Sequence, residues 1–146
     1  MNIKIHKTNE KHIDLYYIWV NKKDSLDAKL HTVKEIYYQE HSSWFKQRLQ
    51  DKDTNMWVIK KGDTFIGQVR LQKSILKCHD IDIYIDKIYR GNNTASSALQ
   101  YILKEFKNRP IRAIVKKDNI ASHNFFKKNS FQLCDEDINS WTLIRK

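Results

Sequence analysis

Residues 89–99, YRGNNTASSAL, join a strand-like apolar segment to a helix-like segment through a short turn of Gly and Asn. The first turn of a helix carries backbone N–H groups without partners and the positive end of the helix dipole, so a turn folded around them can bind a phosphate. Arg90 adds a positive charge, and Gly91 with the two asparagines after it tolerates the left-handed backbone that such a turn needs. Taken alone, the stretch is better explained as an ordinary loop in which Thr94 caps the helix.

Two neighbouring segments with strand-like alternation, residues 64–72 and 80–86, carry a second set of reactive groups. Their polar faces hold Gln68, Arg70 and Gln72 on the first segment, and Asp80, Asp82 and Tyr84 on the second. Burying such groups without partners would cost several kcal/mol, so they either satisfy one another or bind a polar ligand. An Arg70–Asp82 ion pair that only stabilises the sheet is one explanation, and a hydrophilic ligand pocket is the other.

The hydrophobic periodicity predicts the elements that position these two sets of residues. A strand is predicted at residues 2–6, and helices are predicted over 10–21 and 32–51, the second beginning at Thr32 as its N-cap. The remaining strands are predicted at 56–61, 64–72, 80–86, 110–117, 131–135 and 141–146, with helices at 94–107 and 120–129. This order predicts an α/β fold in which a mixed sheet carries helices on its faces.

The 146-residue length predicts one compact domain, residues 1–146, with a real core, since hydrophobic residues make up 40% of the chain. No apolar run approaches the roughly 18 residues of a membrane span, and charges interrupt the first segment before a signal peptide can form. We therefore expect a cytoplasmic protein with no membrane partner, either a monomer or a homodimer.

The formal net charge is +10, but the 27 Lys and Arg residues are spread along the whole chain and form no nucleic-acid-binding motif. Such a dispersed excess attracts small anions such as nucleotides and coenzymes, so nucleic acid is not an expected partner. Cys78 and Cys134 are too few for a disulfide scaffold and lie too far apart for a zinc signature, so we expect buried reduced thiols and no metal site.

Two motifs at a suitable separation resemble those of the GNAT family of acetyl-coenzyme-A-dependent N-acetyltransferases. The phosphate loop of that family reads Arg/Gln-x-x-Gly-x-Gly/Ala, and residues 90–95 of this chain read RGNNTA. The family's later motif, Asn-x-x-Ala/Ser-x-x-Leu/Phe-Tyr-x-Lys-x-Gly-Phe, is similar to residues 119–131, NIASHNFFKKNSF. The resemblance implies the GNAT fold, a mixed and mostly antiparallel central sheet of about seven strands with helices on both faces. It also implies acetyl-CoA as the cosubstrate.

The resemblance further implies which residues meet the coenzyme. In the family, a strand that splays from its neighbour offers backbone N–H groups to the thioester, and residues 82–85 occupy that position here. Such donors act as an oxyanion hole, typically worth a few kcal/mol. The implied coenzyme site comprises Ile83, Tyr84, Ile85, Arg90, Gly91, Asn92, Asn93, Thr94, Ala95, Ser96, Asn119, Ser122, Phe125, Phe126 and Lys128.

Two departures from the family motifs affect these expectations. Asn93 replaces the middle Gly of the phosphate loop, and coenzyme binding should survive because Asn enters left-handed conformations more readily than other side chains do. Phe126 stands where the family has the Tyr that protonates the departing thiolate, so water, Ser122 or Tyr84 would have to supply the proton.

Three further segments, WVN at 19–21, QEHSSWF at 39–45 and IGQVR at 66–70, resemble the GNAT branch that contains the amino-sugar N-acetyltransferases of pseudaminic and legionaminic acid synthesis. This resemblance implies that the acceptor is the free amine of a nucleotide-linked amino sugar, of the UDP-4-amino-4,6-dideoxy type. Val20 replaces an Arg of that branch, so the substrate contact made by this Arg is not expected here. The implied acceptor contacts are Asn21, His41, Gln68, Arg70, Asp82 and Tyr84.

Several roles stay open at this point. The general base that takes the proton of the amine is Asp80, Asp82 or His41, directly or through water, and Tyr84 is a further candidate catalytic residue. The other two candidate histidines, His79 and His123, are expected at the surface. Two other functions fit the same motifs, namely N-terminal acetylation of ribosomal or other proteins and coenzyme A binding without chemistry.

Overall fold

The computed structural model describes residues 3–29, 34–74, 77–106 and 109–146. Thr32, the predicted N-cap of the second helix, lies outside the described residues. The strands are β1 (Ile3–Lys7), β2 (Thr54–Lys61), β3 (Thr64–Lys73), β4 (His79–Ile85), β5 (Ile111–Lys116), β6 (Gln132–Glu136) and β7 (Ser140–Arg145). The helices are α1 (Ile13–Val20), α2 (Lys23–Ala28), α3 (Tyr38–Gln50), α4 (Thr94–Glu105) and α5 (Ile120–Lys128).

The seven strands form one sheet in the order β1-β2-β3-β4-β5-β7-β6. Neighbouring strands run antiparallel except β4 and β5, which run parallel. The tight turn between β2 and β3 includes Gly62, whose φ of 61° lies in the left-handed region that glycine adopts readily. The predicted α/β fold, with a mixed and mostly antiparallel sheet of seven strands, is therefore confirmed.

Two apolar clusters cover the opposite faces of the sheet, and the alternation along β2 separates them. Trp57 and Ile59 belong to the cluster under α4, whereas Met56 and Val58 belong to the cluster under α1 and α3. Burying one large aliphatic side chain in such a cluster stabilises a fold by roughly 1.5–3 kcal/mol. Helical spacing places the buried side chains of α4 on one side of that helix: Ala98, Leu99, Ile102 and Leu103. Helices thus pack on both faces of the sheet.

The segment between α1 and α3 differs from the sequence prediction. The sequence pattern does not predict α2, because its six residues, KDSLDA, contain one large apolar side chain and no helical repeat. In addition, α3 begins at Tyr38 rather than at residue 32. The amide of Asn21 explains this later start: it accepts a hydrogen bond from the N–H of Ile36 (2.7 Å) and donates one to the carbonyl of Ile36 (2.9 Å). These two bonds occupy backbone groups that a helix starting earlier would need.

Side-chain exposure corrects two further expectations. Cys78 is buried as predicted, but Cys134 is exposed on the edge strand β6. His79 was expected at the surface and is instead buried, whereas His123 is half-buried. Within the described ranges, no helix combines the length and the apolar character that a membrane crossing requires.

Candidate active site

β4 and β5 separate after a short paired region and leave a gap in the sheet. In the described chain they pair only through the first two residues of each strand. The N–H of His79 donates to the carbonyl of Pro110 across this edge (2.9 Å). Because N–H groups alternate between the two edges of a strand, those of Ile83 and Ile85 point into the gap.

A cavity of about 1060 Å³ opens on this gap. Its wall on one side is β4 from Asp82 to Ile85, and its wall on the other side includes Asn119, Ser122 and Phe125 at the start of α5. Asn119 caps α5, because its side-chain oxygen accepts a hydrogen bond from the N–H of Ser122 (3.2 Å). The cavity therefore brings together β4 and the later sequence motif.

The turn before α4 has the left-handed backbone that the sequence predicts. Gly91 has a φ of 96° and Asn93 a φ of 58°, so Asn93 adopts the conformation for which the family uses Gly. Asn93, not Thr94, is the N-cap residue, and its side chain makes no capping hydrogen bond. The first bond of the helix runs from the N–H of Ser97 to the carbonyl of Asn93 (2.9 Å). The N–H groups of Ala95 and Ser96 thus precede the helical ladder and are oriented to meet an anion.

Two cations approach this turn from different directions. Lys128, at the end of α5, donates a hydrogen bond to the side-chain oxygen of Asn93 (3.1 Å). Arg90 lies at the other side, where its Nε donates to the carbonyl of Ile85 (2.7 Å) and its terminal nitrogen forms an ion pair with Asp24 of α2. The positive charge implied by the sequence is therefore present at the turn, but Arg90 also connects β4 with α2. Asn92 is exposed within the turn.

Tyr84 and Asp24 belong to the same cluster. The Tyr84 hydroxyl donates to Asp24 (3.3 Å), and the Arg90 guanidinium lies 5.3 Å from the centre of the Tyr84 ring. Burial and the neighbouring Asp24 carboxylate raise the pKa of Tyr84 to about 12. Burial acts to raise the pKa of Asp24, but the hydrogen bond and charge of Arg90 outweigh it and the net shift is downward. The pair is therefore a carboxylate and a protonated hydroxyl at neutral pH.

The two polar rows predicted on β3 and β4 lie side by side. Gln68 is directly opposite Tyr84, and Arg70 is directly opposite Asp82. Gln68 Nε2 donates to Asp82 Oδ2 (2.8 Å), which leaves Gln68 Oε1 buried without a hydrogen-bond partner. Among the described residues no ion pair within 4.0 Å joins Arg70 to Asp82, although the charge of Arg70 still acts on the Asp82 carboxylate.

Arg70 instead lies over an aromatic ring. Its guanidinium carbon is 4.9 Å from the centre of the Trp44 ring, and its Nε is buried without a partner. Lys29 extends from the end of α2 into the same cavity and donates to Ser25 Oγ (3.0 Å). Burial acts to raise the pKa of Asp82, but the charges of Arg70 and Lys29 and the hydrogen bond from Gln68 together lower it, so Asp82 is ionised.

His41 is buried in the cavity wall on α3. Its Nε2 lies 2.9 Å from the carbonyl of Ile13, and since a carbonyl can only accept, Nε2 carries the hydrogen. Burial lowers the pKa of His41, an effect only partly opposed by this hydrogen bond and by the charge of Asp14. His41 is thus neutral at pH 7, with Nδ1 unprotonated.

Three residues predicted for the site lie elsewhere. Asp80 is not part of the cavity wall, and Arg112 binds both of its carboxylate oxygens (2.6 and 2.9 Å), so it is unsuited to act as a base. Asn21 uses its amide to hold Ile36 in place rather than to face the cavity. Phe126 is 5% exposed and belongs to the apolar cluster under α4.

The cavity also contains residues that the sequence did not single out. Asp24, Ser25 and Lys29 all come from the α2 region, whose short sequence carries no periodic signal. Glu40 precedes His41 and lines the same wall. The predicted helix over α3 could have indicated Glu40. It is four residues before Trp44, and residues four apart on a helix lie on the same face.

Backbone donors along an opened strand and at the start of a helix form an arrangement that an acyltransferase can use for a thioester and its pyrophosphate. Here the donors are the N–H groups of Ile83 and Ile85 beside the gap, and those of Ala95 and Ser96 ahead of the helical ladder of α4. The chain belongs to the acetyltransferase (GNAT) family, whose sequence model matches residues 23–131. It is an acetyl-CoA-dependent N-acetyltransferase, so the expectation of acetyl-CoA as cosubstrate is confirmed and the alternative of coenzyme binding without chemistry is set aside.

Solved structures of other acetyltransferases have the same fold. Spermidine N-acetyltransferase from Vibrio cholerae, in complex with CoA and spermine, has a TM-score of 0.85 at 12% identity, covering 99% of this chain and 95% of that one. The N-acetyltransferase PseH from Campylobacter jejuni has a TM-score of 0.72 at 19% identity, covering 100% and 99%.

A third structure is an acetyltransferase from Salmonella typhimurium that modifies the N-terminal serine of ribosomal protein L7/L12. It has a TM-score of 0.81 at 17% identity, covering 99% of this chain and 95% of that one. At such identities the likeness shows the fold alone. No curated protein sequence matches the chain as a relative.

Proposed function

We propose that this enzyme acetylates the free amine of a nucleotide-linked amino sugar, of the UDP-4-amino-4,6-dideoxy type. The observation that carries the proposal is the pair of polar atoms buried without partners in the cavity wall: Gln68 Oε1, an acceptor, and Arg70 Nε, a donor. Such groups are costly to bury unless a ligand satisfies them. A substrate that satisfies both atoms must carry a hydrogen-bond donor for Gln68 Oε1 and an anionic group or strong hydrogen-bond acceptor for Arg70 Nε.

The charges around Arg70 favour a phosphate-bearing substrate. Around Asp82, Arg70 and Lys29 supply two positive charges against one negative charge. Over the described cavity wall as a whole, the carboxylates outnumber the cations five to three: Asp24, Asp27, Glu40, Asp82 and Asp118 against Lys29, Arg70 and Arg90. The local positive surplus at Arg70 and Lys29 lies in a partly buried site, where electrostatic attraction is stronger than in water. A nucleoside diphosphate would neutralise it. Trp44 and Trp19, which also line the cavity, provide aromatic surface for a sugar or base.

The coenzyme is proposed to lie across the other half of the cavity. Its pyrophosphate would meet the N–H groups of Ala95 and Ser96 and the charge of Lys128, and its pantetheine would follow the gap beside Ile83 and Ile85. Asn119, Ser122 and Phe125 form the opposite wall of that gap. This placement directs the thioester towards the polar end of the cavity, where Asp82 and Tyr84 begin the acceptor site.

Acetyl-CoA supplies the acetyl group as an activated thioester. The amine nitrogen attacks the carbonyl carbon and forms a C–N bond, the C–S bond breaks, and the N–H groups of Ile83 and Ile85 stabilise the charge that develops on the oxygen. The amine must lose a proton. We assign its acceptance to Nδ1 of His41, directly or through water, because Asp82 is stabilised as a carboxylate by two cations and is therefore the weaker base.

Water is the favoured source of the proton for the departing thiolate. Tyr84, with a pKa of about 12, holds its proton too tightly to be an effective acid, although its hydroxyl can still donate a hydrogen bond. Phe126 offers no proton and is buried away from the cavity wall. This leaves Tyr84 as a residue that orients the substrate rather than one that transfers a proton.

The test compares UDP-linked 4-amino sugars with N-terminal peptides of ribosomal proteins as acceptors. Wild type should turn over the sugars, and Arg70→Met should lower kcat/KM for them by about ten- to a hundredfold, the value of one lost charge-assisted contact. Arg145→Met is the matched control, because Arg145 also has a buried Nε without a partner but lies on β7 outside the cavity. Turnover of peptides but not of sugars would refute the proposal and favour N-terminal protein acetylation.

Two further variants test the roles assigned within the site. His41→Ala should lower kcat, with a weaker effect at high pH where more of the amine is already neutral. Tyr84→Phe should raise the KM of the sugar with little change in kcat. A large fall in kcat for Tyr84→Phe would contradict its assignment as an orienting residue.

A further inference from the structure

The last turn of α5 directs a buried amide towards the first turn of α4. Asn129 is 6% exposed, and its backbone N–H closes the helix by donating to the carbonyls of Phe125 (3.2 Å) and Phe126 (3.1 Å). The next residue, Ser130, has a φ of 72°, so the chain turns sharply away at this point. The Asn129 side chain is left between the two helices.

The hydrogen bonds of this amide are all made within the protein. Nδ2 of Asn129 donates to Ser96 Oγ (3.1 Å) and to the carbonyl of Phe125 (2.9 Å), and Oδ1 accepts from Gln100 Nε2 (3.2 Å). Ser96 and Gln100 are four residues apart and therefore lie on one face of α4. A single side chain thus connects the last turn of α5 with the first two turns of α4.

The Ser96 end of this connection lies at the proposed pyrophosphate site. The N–H of Ser96 precedes the helical ladder, and its hydroxyl, by accepting from Asn129, keeps its own hydrogen available as a donor. Lys128, the residue before Asn129, makes the second connection by donating to Asn93 Oδ1 (3.1 Å). Lys128, the last residue of α5, and Asn129, the residue after it, therefore hold Asn93 and Ser96 on either side of the start of α4.

We propose that Asn129 is a positioning residue for the coenzyme, which fixes the Ser96 hydroxyl and the first turn of α4 for contact with the pyrophosphate. The proposal rests on the coenzyme placement given under the proposed function. It is distinct from a general packing role, because it predicts an effect that depends on the phosphates of the donor. A residue that only stabilised the fold would affect every acetyl donor alike.

The experiment compares acetyl-CoA with S-acetylpantetheine, a donor that lacks all the phosphates. Asn129→Leu and Ser96→Ala should each raise the KM of acetyl-CoA by about five- to tenfold, with kcat unchanged, because both disrupt the contact of the Ser96 hydroxyl with the pyrophosphate. Ser96→Ala removes the hydroxyl itself, and Asn129→Leu removes the amide that fixes it, together with the bonds of that amide to Gln100 and Phe125. Turnover of S-acetylpantetheine at high concentration should be unchanged. The double variant should be no worse than the single variants, because both remove the same connection.

Asn139→Leu, a matched change in the turn before β7, is the control and should leave the KM of acetyl-CoA within about twofold of wild type. An unchanged KM in both single variants, or an equal loss with both donors, would overturn the proposal. If Asn129→Leu does not fold, Ser96→Ala and its donor comparison decide the question. If wild type itself does not prefer acetyl-CoA to S-acetylpantetheine, the placement of the pyrophosphate on α4 fails instead.

Discussion

Arg90 and Asp24, 66 residues apart in the chain, form an ion pair that connects the turn before α4 with the short helix α2. The same Asp24 accepts a hydrogen bond from the Tyr84 hydroxyl (3.3 Å). At its other end α2 is held by Lys116 of β5, which donates to the carbonyl of Asp27 (3.0 Å). The helix is thus attached on both sides of the gap between β4 and β5.

Asp24→Asn should loosen α2 without greatly destabilising the protein. The side chains of Arg90 and Asp24 are 42% and 33% exposed, so their pair contributes about 0–1 kcal/mol to the free energy of unfolding. The KM of the acceptor should rise about three- to tenfold, because Ser25 and Lys29 follow Asp24 into the acceptor site. Steady-state kinetics measures the change.

Lys23→Met, which breaks the exposed Lys23–Asp27 pair of the same helix, is the control. An equal effect from both variants would contradict a specific role for Asp24.

Gly91→Val should weaken coenzyme binding through backbone strain alone. A Cβ at Gly91 would meet no atom within 4 Å, but its φ of 96° is strongly unfavourable for a β-branched residue. The turn must change conformation, at a cost of roughly 1–3 kcal/mol, and we expect at least a tenfold weaker Kd for acetyl-CoA by calorimetry. Gly62→Val is the matched control, since Gly62 also has a positive φ (61°) and a Cβ added there would meet no atom within 4 Å. An unaltered affinity in Gly91→Val would refute the coenzyme placement.

Phe126→Tyr should destabilise the protein rather than restore a catalytic acid. The Phe126 ring packs against those of Phe125 and Phe131, each with centroids 5.0 Å away, inside the apolar cluster. A hydroxyl added there without a partner costs about 1–3 kcal/mol of unfolding free energy, measurable by urea denaturation. Phe125→Tyr, whose ring lines the cavity, should be tolerated better. Higher turnover of Phe126→Tyr at unchanged stability would show that the ring reaches the site after all.

Stability should fall as the pH is lowered from 7 to 5. Burial lowers the pKa of His12, His41 and His79 below the unfolded value of 6.5, so the unfolded chain binds more protons once the pH falls through that value. Above pH 6.5 these histidines are neutral in both states and do not affect stability. Below it, each lowers the free energy of unfolding by no more than about 1.4 kcal/mol per pH unit, until the pH falls through its folded-state pKa.

The carboxylates do not affect this window. The pKa values of Asp24 and Asp82 are lowered from 3.8, so their contribution is lost only at more acidic pH. Urea unfolding at three pH values measures the slope. His79→Leu should reduce it, because this buried histidine has no hydrogen-bond partner at Nδ1 that would compensate for a charge. The same slope in wild type and His79→Leu would contradict the assignment.

The fold was largely predictable because its elements have clear periods. The alternation along β3 and β4 predicted that Gln68, Arg70, Asp82 and Tyr84 share one sheet face, and the observed register confirms it. The change from a strand period to a helical period likewise predicted α4 next to the Gly-Asn turn. Such patterns depend only on which side of an element is buried, and so they can be read from one sequence.

The remaining parts of the site depend on contacts between distant segments. Asp24 has its role because α2 lies across the gap, and Asn129 because α5 ends beside α4, and neither relation leaves a periodic trace in the sequence. Phe126 is a residue for which the sequence motif predicted a coenzyme contact that the structure does not show. A motif comparison placed it at the coenzyme, whereas the packing of its ring against Phe131 turns it into the core.

The separation of β4 and β5 also has a mechanical consequence. The sheet is continuous from β1 to β4 and from β5 to β6, but in the described chain only two residue pairs hold these halves together across the seam. The bidentate contact between Arg112 and Asp80 lies at the last of these pairs and adds a side-chain connection between β4 and β5. When the molecule is pulled by its ends, we therefore expect the sheet to separate first between β4 and β5, at the gap that is proposed to hold the thioester.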